Sequence, residues 1–122
     1  MDITRFEEIL DSLAEELPPR FYDELNGGIL LLPEEKLSTH ARDNDLYILG
    51  EYTNNGIYGR YVAIYYGSFE ALYGHLPEEA LTVKMRQVLR HEFRHHLENL
   101  AGDKTLERED EKNIWEYLNR EE

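Results

Sequence analysis

Two histidines four residues apart, with a glutamate directly after the first, form the pattern His91-Glu92-Phe93-Arg94-His95. On a helix, residues four apart lie one turn above each other on one face, so both imidazoles can reach one ion at about 2.0–2.1 Å from each nitrogen. Zinc is the metal such a site favours, because two neutral imidazoles, a carboxylate and a water make a tetrahedral site with one reactive position. The ion would bring the pKa of its water towards about 7 and polarise a scissile carbonyl. Glu92, aimed to one side of the ion, would take the water's proton and hand it to the leaving amine.

The helix that must carry these residues is legible. Apolar residues recur at helical spacing from about Pro77 to Ala101, with Pro77 suited to a first turn and Gly102 to the position just past the end. Leu81, Met85, Val88, Leu89, Phe93, His96, Leu97 and Leu100 define one face, and Glu92 projects inside it. A carboxylate there is costly unless something pairs with it, which a solvated charge run would not require. His91 and His95 sit at the edge of the same face, where a cleft can reach them. His96 is read as packed rather than as a ligand, Arg90 and Arg94 as solvated, and His40 and His75 as surface histidines.

The motif does not specify the third protein ligand. Downstream candidates are Glu98, Asp103, Glu107, Glu109, Asp110 and Glu111. A second helix is expected from about Thr105 to Asn119, with Leu106, Ile114, Tyr117 and Leu118 as its inward stripe. Asp110 falls between Leu106 and Ile114 on that stripe and is the first choice. Glu107 at its edge is the second, and Glu98 is expected to lie behind the ligands rather than among them.

Upstream, Ile3, Phe6, Ile9, Leu10, Leu13 and Leu17 mark an amphipathic helix stopped by Pro18-Pro19. Ile29 to Leu32, between Asn26-Gly27-Gly28 and Pro33, reads as a buried strand, and Glu34 to Asp45 as a loop. Leu46 to Tyr52 and Ile57 to Tyr66 read as a β-hairpin around Asn54-Asn55-Gly56, with Gly59 as a bulge or turn residue. Seven of the nine tyrosines lie between Tyr47 and Tyr73, a stripe read as packing. The strand within Tyr61 to Tyr66 is expected beside the metal helix, offering a free edge to an extended peptide.

The 122 residues, with a hydrophobic fraction of 41%, are read as one domain spanning 1–122. Thirteen lysines and arginines against 26 acids give a formal charge of −13, which excludes nucleic acid and acidic membranes as ready partners. The absence of cysteine rules out a disulfide framework and any thiolate metal site. No leader-like apolar segment and no run near the roughly 18 residues of a membrane span is present, so a cytoplasmic protein is expected.

The doubled histidine in His91-Glu92-Phe93-Arg94-His95-His96, preceded by Val83 to Arg90 and followed by the acidic Leu106 to Glu111, resembles the minimal zincin-like metallopeptidase family of bacteria. The resemblance extends over roughly Leu25 to Leu118. It implies a compact α+β zincin-like domain, with a small sheet carrying the tyrosine-rich hairpin packed on the H-E-x-x-H helix. It also implies a zinc ion and a third ligand from an aspartate shortly after the second histidine. The common form of the family reads H-E-x-x-H-H-x-G-x-D-D, whereas here Glu98 stands at the glycine and Ala101 at the ligand aspartate. The function expected is therefore a zinc-dependent metallopeptidase acting on a peptide or protein substrate. A non-catalytic zincin-fold binding or regulatory protein, and a zinc amidase acting on a small substrate, stay open beside it.

Overall fold

The computed structural model describes residues 1–38, 46–57 and 59–102. The final helix expected from Thr105 to Asn119, with Asp110, Glu107 and Glu109, lies outside the described residues, as does His40. The described part is α+β, with three helices and a three-stranded mixed sheet.

Helix α1, Ile3–Glu15, starts at Asp2, whose side chain accepts the Arg5 N–H at 2.8 Å and so satisfies one of the free donors of the first turn. Its apolar stripe buries Phe6, Ile9, Leu10 and Leu13. Beyond it, Pro18 and Pro19 end the α-helical pattern and lead into a single 3-10 turn, Pro19–Tyr22, which sinks Phe21 into the core.

Strands β1, Gly28–Leu32, β2, Gly50–Asn55, and β3, Gly59–Tyr65, assemble in the order β1-β3-β2. β1 runs parallel to β3, from Gly28 opposite Tyr61 to Leu32 opposite Tyr65. β2 and β3 form the expected hairpin, with Gly50 opposite Ile64 and Asn55 opposite Gly59. Strand pairing continues through Asn54 and Asn55, so the reversal falls later than the asparagines suggested. Gly59 opens β3 at φ 78°, a backbone angle that suits glycine and few other residues. The segment expected as a loop after Glu34 is partly paired: Leu37 and Tyr47 form an antiparallel bridge, and the Ile48 N–H donates to the Lys36 carbonyl at 2.7 Å.

β3 is the central strand, which explains why Val62, Ala63, Ile64 and Tyr65 are all buried instead of alternating. It therefore has a neighbour on each side and no free edge, so the peptide-docking edge expected within Tyr61 to Tyr66 is ruled out. The strand signal of Tyr65-Tyr66 also hid a helix: α2, Tyr66–Tyr73, follows β3 without a gap and buries Ser68 and Phe69.

Helix α3, Glu78–Gly102, begins just past Pro77, whose carbonyl accepts the Leu81 N–H at 3.0 Å. Leu81, Met85, Leu89, Phe93 and Leu97 join Phe6, Leu10, Leu13, Phe21, Val62, Ile64 and Phe69 in one core. α3 crosses β2 at Gly50, where an added Cβ would lie 2.9 Å from Val88 Cγ1 and 3.2 Å from Ile64 Cδ1. A glycine at that position lets strand and helix approach closely enough to share a cleft. No helix among the described residues is long and apolar enough to cross a membrane.

Candidate metal and catalytic site

The cleft lies between the outer edge of β2 and the exposed side of α3. It holds about 700 Å³ and is lined by Glu51 and Tyr52 from the strand and by His91, Glu92, His95, Glu98 and Asn99 from the helix. A smaller hollow of about 350 Å³, walled by Tyr47, Ile48, Leu49 and Val88, continues it past His91 and Glu92.

His91 and His95 are exposed, and their Nε2 atoms stand 3.0 Å apart with the rings at 88°. Two nitrogens each about 2.05 Å from a tetrahedral zinc would be about 3.3 Å apart, so a small rotamer adjustment would give this pair the spacing that the imidazole half of a metal site needs. Glu98 Oε2 lies 3.8 Å from His95 Nδ1, the ring nitrogen opposite the one that meets His91. It thus stands on the side of His95 away from His91, where a carboxylate would orient the ring of a histidine that held a metal. Among the described residues, no third histidine, aspartate or glutamate joins the pair to form a metal-binding group.

Glu92 is 7% exposed, the only buried carboxylate among the described residues. Burial pushes its carboxyl above the usual carboxylate range, while charge on His91 and His95 and a hydrogen bond from the Tyr52 backbone N–H pull the other way without cancelling that effect. A carboxylate with raised proton affinity, held beside two imidazoles at the wall of a cleft, is suited to accept a proton from water. The Leu49 carbonyl accepts the Tyr65 N–H at 2.9 Å, so by antiparallel alternation Gly50 and Tyr52 turn their backbone groups outward, away from β3. The bond from Tyr52 to Glu92 follows from that alternation.

His96, next to the pair, is fully buried and has a different role. Its Nε2 lies 2.8 Å from the Asp23 carbonyl, which can only accept, so that nitrogen carries the proton and Nδ1 accepts from the Tyr52 hydroxyl at 2.9 Å. Burial holds its pKa below the ordinary histidine value, in keeping with a neutral ring. Arg90, expected in solvent, is instead 4% exposed, with its Nη2 3.7 Å from Glu16 Oε1; Arg94 is half-buried. The long aliphatic stem of arginine lets it follow the apolar face inward while its head finds a carboxylate. His75 is exposed in the turn before α3, as expected.

Glu51, Tyr52 and Asn99 line the cleft but carry no signal in the H-E-x-x-H pattern. Glu51 Oε1 accepts from Lys36 Nζ at 2.5 Å and from the Tyr65 hydroxyl at 2.7 Å. Burial raises its carboxyl, but these two partners outweigh that and hold it below the usual range. Only Asn99 left a trace in the sequence, since it repeats the four-residue step from His91 to His95.

Fold and site together define an α+β protein that presents an H-E-x-x-H helix beside the edge strand of a small mixed sheet. No family model matches the sequence, and no curated protein does. Among solved structures it is similar to a conserved hypothetical protein from Thermus thermophilus, at 32% identity and a TM-score of 0.71, with 84% of this chain and 99% of that one covered. The chain belongs to the same family as that protein.

Proposed function

We propose that this protein is a zinc-dependent metallopeptidase in which His91 and His95 bind the metal and Glu92 is the general base. One observation carries the reading: two exposed imidazoles meet at 3.0 Å in a cleft whose wall holds a buried glutamate bonded to the neighbouring strand. A zinc ion bound there would supply Lewis acidity and a lowered water pKa. Glu92 takes a proton from water in the cleft and delivers it to the leaving nitrogen, and its raised proton affinity suits both transfers. The outward backbone of Gly50 and the Tyr52 carbonyl align an extended peptide by strand addition, a role that passes from β3 to β2. Asp110 is proposed as the third ligand, on its place in the apolar stripe that the sequence pattern predicts between Leu106 and Ile114. The absence of cysteine accords with a cytoplasmic setting.

A second reading is favoured by the same 3.0 Å contact, which is also the length of an N–H···N hydrogen bond between neutral imidazoles. On that reading the protein is a metal-free binding or regulatory member of its fold. The zinc chemistry would equally serve an amidase acting on a small substrate.

Metal analysis of protein purified without added metal separates these readings. One zinc per chain is expected, lost in His91→Ala and in His95→Ala. Glu92→Gln should keep the zinc and lose hydrolysis of a peptide library by about 10²–10⁴-fold. Wild-type protein without zinc, or both histidine variants with full metal content, would overturn the proposal.

A further inference from the structure

Asn99 continues the row that His91 and His95 begin, at the same four-residue step along α3, and all three line the cleft. Its side-chain oxygen accepts from Arg60 Nε at 2.9 Å and from Asn54 Nδ2 at 3.1 Å. A guanidinium can only donate, so the atom facing Arg60 must be Oδ1, and the orientation of the amide is thereby set. The Tyr52 hydroxyl lies 3.3 Å from the same oxygen, but its proton goes to His96. Arg60 and Asn54 occupy both lone pairs of Oδ1, so a ligand can meet only the amide nitrogen. That Nδ2, with two N–H donors, has no hydrogen-bond partner among the described residues.

We propose that Asn99 is a catalytic hydrogen-bond donor whose Nδ2 binds the carbonyl oxygen of the scissile peptide as negative charge develops there. This rests on the metallopeptidase reading above. As water's oxygen bonds to the carbonyl carbon, Glu92 takes one water proton and the carbonyl π pair moves onto the oxygen facing Asn99. The pair then returns, the C–N bond breaks, and the leaving nitrogen takes the proton from Glu92. Arg60 and Asn54 hold the amide in place beforehand, so the donor needs no rearrangement when the charge appears. Such preorganisation makes one donor worth about 10²–10³ in rate.

The decisive variants are Asn99→Asp, which keeps an acceptor for Arg60 and Asn54 but removes both donors, and the neutral Asn99→Ala, which removes the clamp as well. On zinc-loaded protein, Asn99→Asp should retain metal content and thermal midpoint, hold KM within about twofold and lose kcat by about 10²- to 10³-fold. Its affinity for a phosphinic peptide, whose anionic oxygen imitates the charged carbonyl, should fall at least about tenfold by calorimetry. Asn99→Ala should show the same loss of kcat with a lower thermal midpoint. Wild-type kcat and phosphinic affinity in Asn99→Asp, or losses matched by loss of zinc, would overturn the assignment. If wild-type protein binds the phosphinic peptide but cleaves nothing, the peptidase reading fails and the affinity of Asn99→Asp alone decides the role of Asn99. A wild type that binds no phosphinic peptide overturns both.

Discussion

The hydroxyl of Tyr52 on β2 donates to Nδ1 of His96 on α3 across 2.9 Å, and this bond fastens the edge strand to the helix that carries His91 and His95. Tyr52→Phe leaves a buried imidazole nitrogen without its donor. The variant should lose about 1–3 kcal/mol of stability, the cost of an unsatisfied buried polar group. Urea denaturation measures it, and an unchanged midpoint would show that the bond contributes nothing.

Gly50 should couple energetically to Val88. A methyl group at position 50 would approach Val88 Cγ1 to 2.9 Å, so Gly50→Ala must push β2 away from α3 at a cost of about 1–3 kcal/mol. Val88→Ala removes the obstructing atom, and the double variant should recover part of the loss, with a coupling of at least about 0.5 kcal/mol. Strict additivity in this double-mutant cycle would refute the steric account.

Glu16 joins α1 to α3 through Arg86, whose Nε and Nη2 reach its two oxygens at 3.0 and 3.1 Å. The Arg86 bond, opposed by burial and helped by the charges of Arg86 and Arg90, holds the Glu16 carboxyl below the usual range. A folded-state pKa below the unfolded one stabilises the protein at pH values above about 4.5, and that share is lost as pH falls through the folded value. With the side chain 39% exposed, solvent screening keeps the share within about 1 kcal/mol. Glu16→Gln should therefore be less stable than wild type at pH 7, and the difference should shrink as pH falls below about 4.5.

Ser68 is fully buried, and its Oγ accepts the Lys36 N–H at 2.9 Å while donating to the Lys36 carbonyl at 3.3 Å. Ser68→Ala should cost about 1–3 kcal/mol. It should also speed hydrogen exchange at the Lys36 amide more than at the amides of β3. Equal acceleration at both places would indicate global destabilisation instead of the loss of a local anchor.

Residues whose placement depends on a single helix were readable from the sequence. The 3.6-residue period put Glu92 inside the apolar face, and it is buried; the same period put His91 and His95 at the edge of that face, and they are exposed. Periodicity could not say which strand would meet the helix. A hairpin signal specifies that β2 pairs with β3 but is silent on β1, whose parallel pairing takes the other side of β3 and leaves the outward edge beside the helix to β2. Arg90 escaped for another reason: charge says where its guanidinium prefers to be, whereas the long reach to Glu16 belongs to the tertiary structure. Glu51 stayed hidden, and Asn99 showed only as a repeat of the four-residue step, because their roles come from partners on other elements, Lys36 and Tyr65 for one and Arg60 and Asn54 for the other.

The parallel pairing of β1 with β3 also sets the order in which the chain can complete itself during synthesis. Ile29-Leu30-Leu31-Leu32 emerges from the ribosome roughly thirty residues before its partner Val62 to Tyr65. At about 5–20 residues per second, that apolar strand waits on the order of two to six seconds with neither edge paired. Until β3 arrives, both edges of this segment are open to a second copy of the nascent chain, whereas the finished fold pairs one of them with β3.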